Sequence, residues 1–211
     1  MTITGNQISS MEQRYRTTLV NSVSGFKSLQ MVGTISTDGI TNLALFNSIF
    51  HVGANPPLLG MVVRPDGAEH DTLKNIIATG QYTLNNVLPA WYAKAHQTSA
   101  RFPSGESEFG ECGFTKSYIA GLKAPFVKES TIKIGLVLRD IIDVSINNTS
   151  IVIGEIISII LDENVIAADG YVDLEKAGSV TVAGLDSYHT TQRLGRLNYA
   201  KPGKHPEALS V

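Results

Sequence analysis

Three groups between Thr41 and Thr79, in the stretch TNLALFNSIFHVGANPPLLGMVVRPDGAEHDTLKNIIAT, have types and spacing suited to holding an anion. One strand-like run ends in the polar pair Asn47-Ser48, and a second ends at Arg64. A helix pattern opens at Asp71-Thr72. The first amides of a helix have no partner inside it and carry the positive end of its dipole. A hydroxyl, a guanidinium and a helix start could therefore converge on one phosphate. The same residues also make an ordinary hairpin, a surface arginine and an Asp/Thr cap, and spacing alone does not choose. A second candidate is His96, in the polar patch Ala95-His96-Gln97-Thr98-Ser99-Ala100. A histidine at a helix end caps carbonyls or binds an anion.

Much familiar chemistry is missing. There is no G-x-S-x-G elbow, P-loop, G-x-G-x-x-G or H-E-x-x-H motif. The five histidines are dispersed, and no Cys/His cluster has metal spacing, so no metal site is expected. The one cysteine, Cys112, has no partner for an intramolecular disulfide and reads as an inert thiol. Trp91 and Tyr92 read as core or interface residues. Asn147-Asn148-Thr149-Ser150 contains glycosylation sequons but reads as a turn.

The elements that must position these residues read mostly as strands. Met31–Ser36 and Thr41–Phe46 flank Thr37-Asp38-Gly39 as a hairpin, and Leu58–Val63 follows the break at Asn55-Pro56-Pro57. A helix from Asp71-Thr72, with Leu73, Ile76 and Ile77 on one face, stops at Gly80. Gln81–Val87 is a strand, and Pro89 starts a helix to Gln97. Residues 98–130 read as loops with a short helix around Thr115–Ala120. Ile132–Ile146 and Thr149–Leu161 are long β-branched partners about a tight turn at Asn147-Asn148. A short strand at Ser179–Ala183 and a helix at Tyr188–Leu197 complete the chain. At the start, Ser9 and Glu12 fit a capping box for a helix over Ser10–Val20. Hairpin-linked strands with interspersed helices argue against an alternating βαβ sheet.

With 211 residues, 43% of them hydrophobic and 17% charged, the chain has material for one well-buried domain, read as spanning 1–211. A net charge of −2 and scattered Lys and Arg argue against a nucleic-acid or membrane-surface partner. The N-terminal residues lack the apolar stretch of a signal peptide, and Ile151–Leu161 is too short to span a bilayer. A cytoplasmic location is expected. The long apolar strands exceed what one small barrel interior needs, which predicts a homodimer.

Several motifs together resemble the flavin reductase-like, FMN-binding split-barrel family. They are Asn42-Leu43-Ala44, Ser48-x-Phe50, Asn55-Pro56-Pro57-Leu58-Leu59, Asp71-Thr72 with Asn75-Ile76, and Thr79-Gly80-Gln81-Tyr82-Thr83-Leu84-Asn85. The likeness extends to Gly25-Phe26-Lys27, His96 through Ala100, Ala124-Pro125-Phe126 and Gly184-Leu185. It implies a mainly β chain with peripheral helices, folded as a Greek-key antiparallel split barrel that dimerises and binds FMN near the interface. By position, Asn42 and Ala44 would lie by the isoalloxazine. Phe46, Asn47 and Ser48 would line the ribityl chain and phosphate, and Arg64, Asp71 and Thr72 would complete the phosphate end. His96 would sit over the flavin as the catalytic residue, and Tyr188 would cover the ring. Relatives often carry Ser-Ser or Tyr-Ser at Phe46-Asn47, and Lys or Arg at His70. The resemblance implies an NAD(P)H-dependent flavin reductase, with NADH or NADPH as donor and an acceptor protein as a further partner. An electron-transfer flavoprotein of the flavoredoxin kind, and a flavin-binding module without reductase activity, are the alternatives.

Overall fold

A computed structural model describes residues 1–65, 71–103 and 105–209. In chain order it has α1 (Gly5–Ser10), α2 (Gln13–Val23), β1 (Phe26–Ser28), β2 (Gln30–Ile35), β3 (Thr41–Phe46), β4 (Ile49–Ala54) and β5 (Pro57–Val63). There follow α3 (Asp71–Thr79), β6 (Gln81–Asn86), α4 (Tyr92–Gln97), α5 (Glu108–Glu111), β7 (Lys116–Ile119) and β8 (Leu122–Val127). The last elements are β9 (Lys133–Val144), β10 (Thr149–Ile160), β11 (Thr181–Ala183) and β12 (Ser187–His189).

Seven strands form one antiparallel sheet in the order β3-β2-β6-β9-β10-β5-β4. Its two edge strands, β3 and β4, are consecutive in the chain and joined only by Asn47-Ser48. A flat seven-stranded sheet would set its edges roughly 29 Å apart at the usual inter-strand spacing. The link from Phe46 to Ile49 spans at most about 11 Å. The sheet must therefore roll until its edges meet, and the seam falls at Asn47-Ser48. The expected split barrel of the Greek-key kind is thus present.

Both faces of β2 are covered, which explains its unbroken buried run from Met31 to Thr34. Val32 packs inside the barrel with Met61, Val63, Tyr82, Leu84, Leu136 and Val152, and Ile76 of α3 plugs one end. Met31 packs outward with Leu43, Val87, Phe109, Val127 and Val182. Two buried asparagines tie the outer layer down. Asn85 donates to Met31 O and Thr83 Oγ1 and accepts from Val127 N. Asn86 Oδ1 accepts from Thr131 N and Ile132 N, and its Nδ2 donates to Ser179 Oγ.

Several local expectations are corrected. Thr115–Ala120 is not a helix: Lys116–Ile119 pairs with β8 across Gly121, whose positive φ of 83° closes the hairpin. Tyr188–Leu197 is not a helix either. Ser187–His189 pairs with β11 around Gly184, and Arg193 and Arg196 tether the extended tail to Asp173 and Asp169. The N-terminal capping box is Thr4 with Gln7, and Glu12 caps α2 by accepting from Arg14 N and Tyr15 N. Strands β1, β4 and β8 are additional to the sequence reading. The hairpins β2–β3 and β9–β10 stand as expected, the second turning at Asn148 with φ 55°.

Gly33 lies where β2 meets β8. A Cβ there would come within 2.2 Å of Pro125 O, a backbone atom, and 2.5 Å of Thr83 Oγ1. Overpacking of a close-packed contact costs about 1–3 kcal/mol. Gly33→Ala should lower the urea midpoint by the equivalent of the upper part of that range, with an unchanged denaturant slope.

Candidate functional site

At the seam, Val62 is pinned to Ser48 and Thr72 to Asn42. Ser48 Oγ donates to Val62 O at 2.8 Å, and Val62 N donates to Ser48 O at 3.1 Å. At the other end, Asn42 Nδ2 donates to the Thr72 hydroxyl at 3.0 Å, with both residues buried. Asn75 Nδ2 donates to Thr34 Oγ1 and holds α3 against β2. Between the pins a cleft of about 840 Å³ opens. Its third wall is the segment after α4, from Thr98 to Phe102, together with Glu108 and Leu185.

Asn42, Ala44, Phe46, Asn47, Ser48, Arg64, Asp71, Thr72 and His96 all line this cleft. Tyr188 does not. It stands behind His96, with its phenol oxygen 2.5 Å from His96 Nδ1. His70 lies outside the described residues.

The cleft is electrically two-ended. Near the Ser48 pin, Arg64 donates to Asn21 Oδ1 at 2.9 Å, and Asn47 Nδ2 donates to Gly184 O at 3.0 Å. Lys27 sits close enough that burial first, and the Arg64 charge second, hold its ammonium below the ordinary lysine range. Among the described residues no carboxylate pairs with either cation. Near the Asn42 pin the titratable groups are acidic, Asp71 and Glu108. Glu108 accepts from Leu43 N at 2.9 Å, and burial, with Asp71 a smaller contribution, pushes its carboxyl above the usual glutamate range. Between the ends the walls are mostly apolar: Leu29, Ala44, Leu45, Phe46, Val62, Val63, Phe102 and Leu185. A flat apolar body with an anionic tail fits this polarity, its tail at Arg64. Asp71 and Thr72 lie at the opposite end from Arg64's partner Asn21, beside Asn42. Ser48's proton is already committed to Val62 O.

Sequence reasoning did not single out Glu108, Arg101 or Phe102. They lie in a stretch read as loop, and only contact with β3 across 65 positions reveals Glu108. Cys112 is buried, and burial raises its thiol, so it stays protonated and unreactive. Among the described residues no group of His, Cys, Asp and Glu could hold a metal, and no helix is long and apolar enough to cross a membrane.

Residues 27–175 match the model of the flavin reductase like domain. The chain belongs to this family. A split-barrel protein of Shewanella frigidimarina, assigned as a flavin reductase, superposes with TM-score 0.91 at 44% identity, covering 95% of this chain and all of that one. A protein of Aquifex aeolicus without assigned function is 30% identical over 81% of both chains. Component B of the Bacillus cereus nitrilotriacetate monooxygenase shares the fold, with TM-score 0.82 at 22% identity over 93% of this chain and 98% of that one. The matched family segment contains every cleft residue named above except Leu185, and it ends before Tyr188.

The raised Glu108 carboxyl gives a pH prediction. Its folded form binds a proton more readily than its unfolded form, so it weakens the fold as pH rises through the window between the two pKa values. Glu108→Gln keeps an acceptor for Leu43 N and removes this loss. The variant should match the wild type below the ordinary glutamate range and gain relative stability above it, as read by urea unfolding across pH.

Proposed function

We propose that this protein binds FMN in the seam cleft and works as an NAD(P)H-dependent flavin reductase. The observation that carries the reading is the cleft's polarity: an end at Arg64 that no carboxylate among the described residues pairs, an apolar middle and a hydrogen-bonding end at Asn42. Membership of the family supports the flavin, and the two cations favour a phosphorylated form over a neutral one. Bound FMN supplies the hydride-accepting chemistry. Arg64 anchors the phosphate by a charge-assisted contact worth about 1.5–3 kcal/mol, and Lys27, outside the cleft lining, adds its charge from nearby. Ala44, Phe46 and Phe102 exclude water from the ring's surroundings, and Asn42 keeps the Thr72 end of the cleft in place. His96 contributes a polar atom on the wall formed by α4.

Titration with FMN and riboflavin, followed by anaerobic addition of NADH or NADPH, tests the reading. FMN should bind more tightly than riboflavin, and one of the nicotinamides should bleach it. Arg64→Ala should weaken FMN about tenfold or more, in line with one lost charge-assisted contact, and leave riboflavin nearly unaffected. Equal affinity for the two flavins would remove the phosphate assignment. Bleaching by neither donor would remove the reductase assignment and leave a protein partner as electron source.

We further propose that two copies associate. Helices α1 and α2 bury none of their residues, and Tyr15, Val20, Val23 and Phe26 are exposed beside the Arg64–Asn21 end. Edge strand β4 exposes Phe50 and Val52, and β10 exposes Ile157 and Ile159. Apolar surface on this scale is what a permanent interface covers. Sedimentation at micromolar concentration should give the mass of two chains, and a single-chain mass would contradict the proposal.

A further inference from the structure

We infer that Tyr188 is a positioning residue for the cleft: its phenol donates to His96 Nδ1, so the neutral imidazole carries its proton on Nε2. The importance of this pair for turnover rests on the proposed reductase reading; the pairing itself does not.

The two side chains come from elements 92 positions apart, α4 and β12, and meet at 2.5 Å between Tyr188 Oη and His96 Nδ1. Their rings stand edge to face, with centroids 5.7 Å apart and planes at 89°. Tyr92, one turn before His96 on α4, packs against the Tyr188 ring at 5.3 Å and fixes it from a second side. The ring is thus located by β12 pairing with β11 and by two residues of α4. A neutral imidazole has one donor and one acceptor nitrogen, and the tautomer follows from the bond that one of them makes. A phenol O–H is a better donor than its oxygen is an acceptor. Among the described residues Tyr188 Oη has no other hydrogen-bond partner. The lowest-cost arrangement is therefore O–H to Nδ1, leaving the N–H on Nε2. Burial, with Asp186 a smaller contribution, keeps the Tyr188 phenol above the ordinary tyrosine range, so its proton is retained.

The consequence is specific for the ligand. His96 lines the cleft and Tyr188 does not. In its neutral form, with Nδ1 committed behind it, His96 offers the cleft a single N–H donor. That donor selects a ligand presenting an acceptor at this wall, such as the carboxamide oxygen of a nicotinamide or a ring carbonyl. Tyr188 acts through His96, and its phenol need not touch the ligand.

The test uses the whole protein labelled with ¹⁵N in histidine, above the ordinary histidine titration range. The His96 signal is identified by its loss in His96→Asn. The expected wild-type spectrum shows an unprotonated Nδ1 and a protonated Nε2, and Tyr188→Phe shifts both nitrogens toward a tautomer average. A proton on Nδ1 in the wild type, or an unchanged His96 spectrum in Tyr188→Phe, would overturn the inference, and the wild-type spectrum alone suffices if the variant folds poorly. In turnover, Tyr188→Phe should lower kcat about two- to tenfold, the range of one neutral hydrogen bond. In a His96→Ala background the same change should cost nothing further, and additive losses would overturn the positioning role. Normal turnover in His96→Ala with the expected spectrum would count against the role of His96 in the reaction and would uphold the tautomer assignment.

Discussion

The architecture depends on a mismatch of lengths. Two residues, Asn47 and Ser48, connect strands that stand at opposite edges of a seven-stranded sheet. That connection forces closure, and closure leaves a seam where the outer edges of β3 and β4 meet without a ladder between them. Backbone groups at a seam lack a full ladder, and unpaired buried amides and carbonyls are costly. The side chains of Ser48 and Asn42 take up part of that duty by binding Val62 and Thr72. Residues that read as ligand contacts therefore also hold the seam open at a fixed width. Structural and binding roles are not separable at Asn42 or Ser48, whereas Arg64 and His96 are free of structural duty in the barrel ladder.

The cleft's two-ended charge follows from this geometry. β3 runs along the cleft floor, from the acidic surroundings of Asn42 to the basic surroundings of Phe46. Glu108 sits against the amide of Leu43, inside the stretch where a ring system would lie, and its burial favours the protonated form. Arg64 and Lys27 crowd like charge at the far end, which an anion would relieve. Orientation of an elongated ligand is thereby set by charge, and its depth by the apolar walls.

Much of this was legible in the chain. The alternation and turn residues of β2–β3 and β9–β10 encode local hairpins, and the Asp71 helix with Gly80 at its end encodes its own limits. Asn42, Ser48, Arg64 and the Asp71-Thr72 pair lie within about thirty positions of one another, so their meeting in one cleft could be anticipated, but not the placing of Asp71-Thr72 at the Asn42 end, away from Arg64. Other features depend on contacts distant in sequence. β7 and β12 are short strands whose composition is neutral, and their conformation is decided by pairing with β8 and β11 rather than by propensity. Glu108 joins the cleft wall, and Tyr188 reaches His96 behind it, only because α5 and β12 fold onto β3 and α4. Tyr188 was expected to cover the ring; it lies outside the cleft lining and against His96 instead, and no local pattern marks a bond across 92 positions.

The central claim is that one cleft, built at the seam, orients FMN by its charge. A crystal structure of the protein grown with FMN tests it most directly. The account predicts the phosphate within hydrogen-bond reach of the Arg64 guanidinium and the isoalloxazine along Asn42 to Ala44, with His96 on its exposed side. A phosphate beside Asp71 and Glu108, or a flavin outside the cleft, would contradict it.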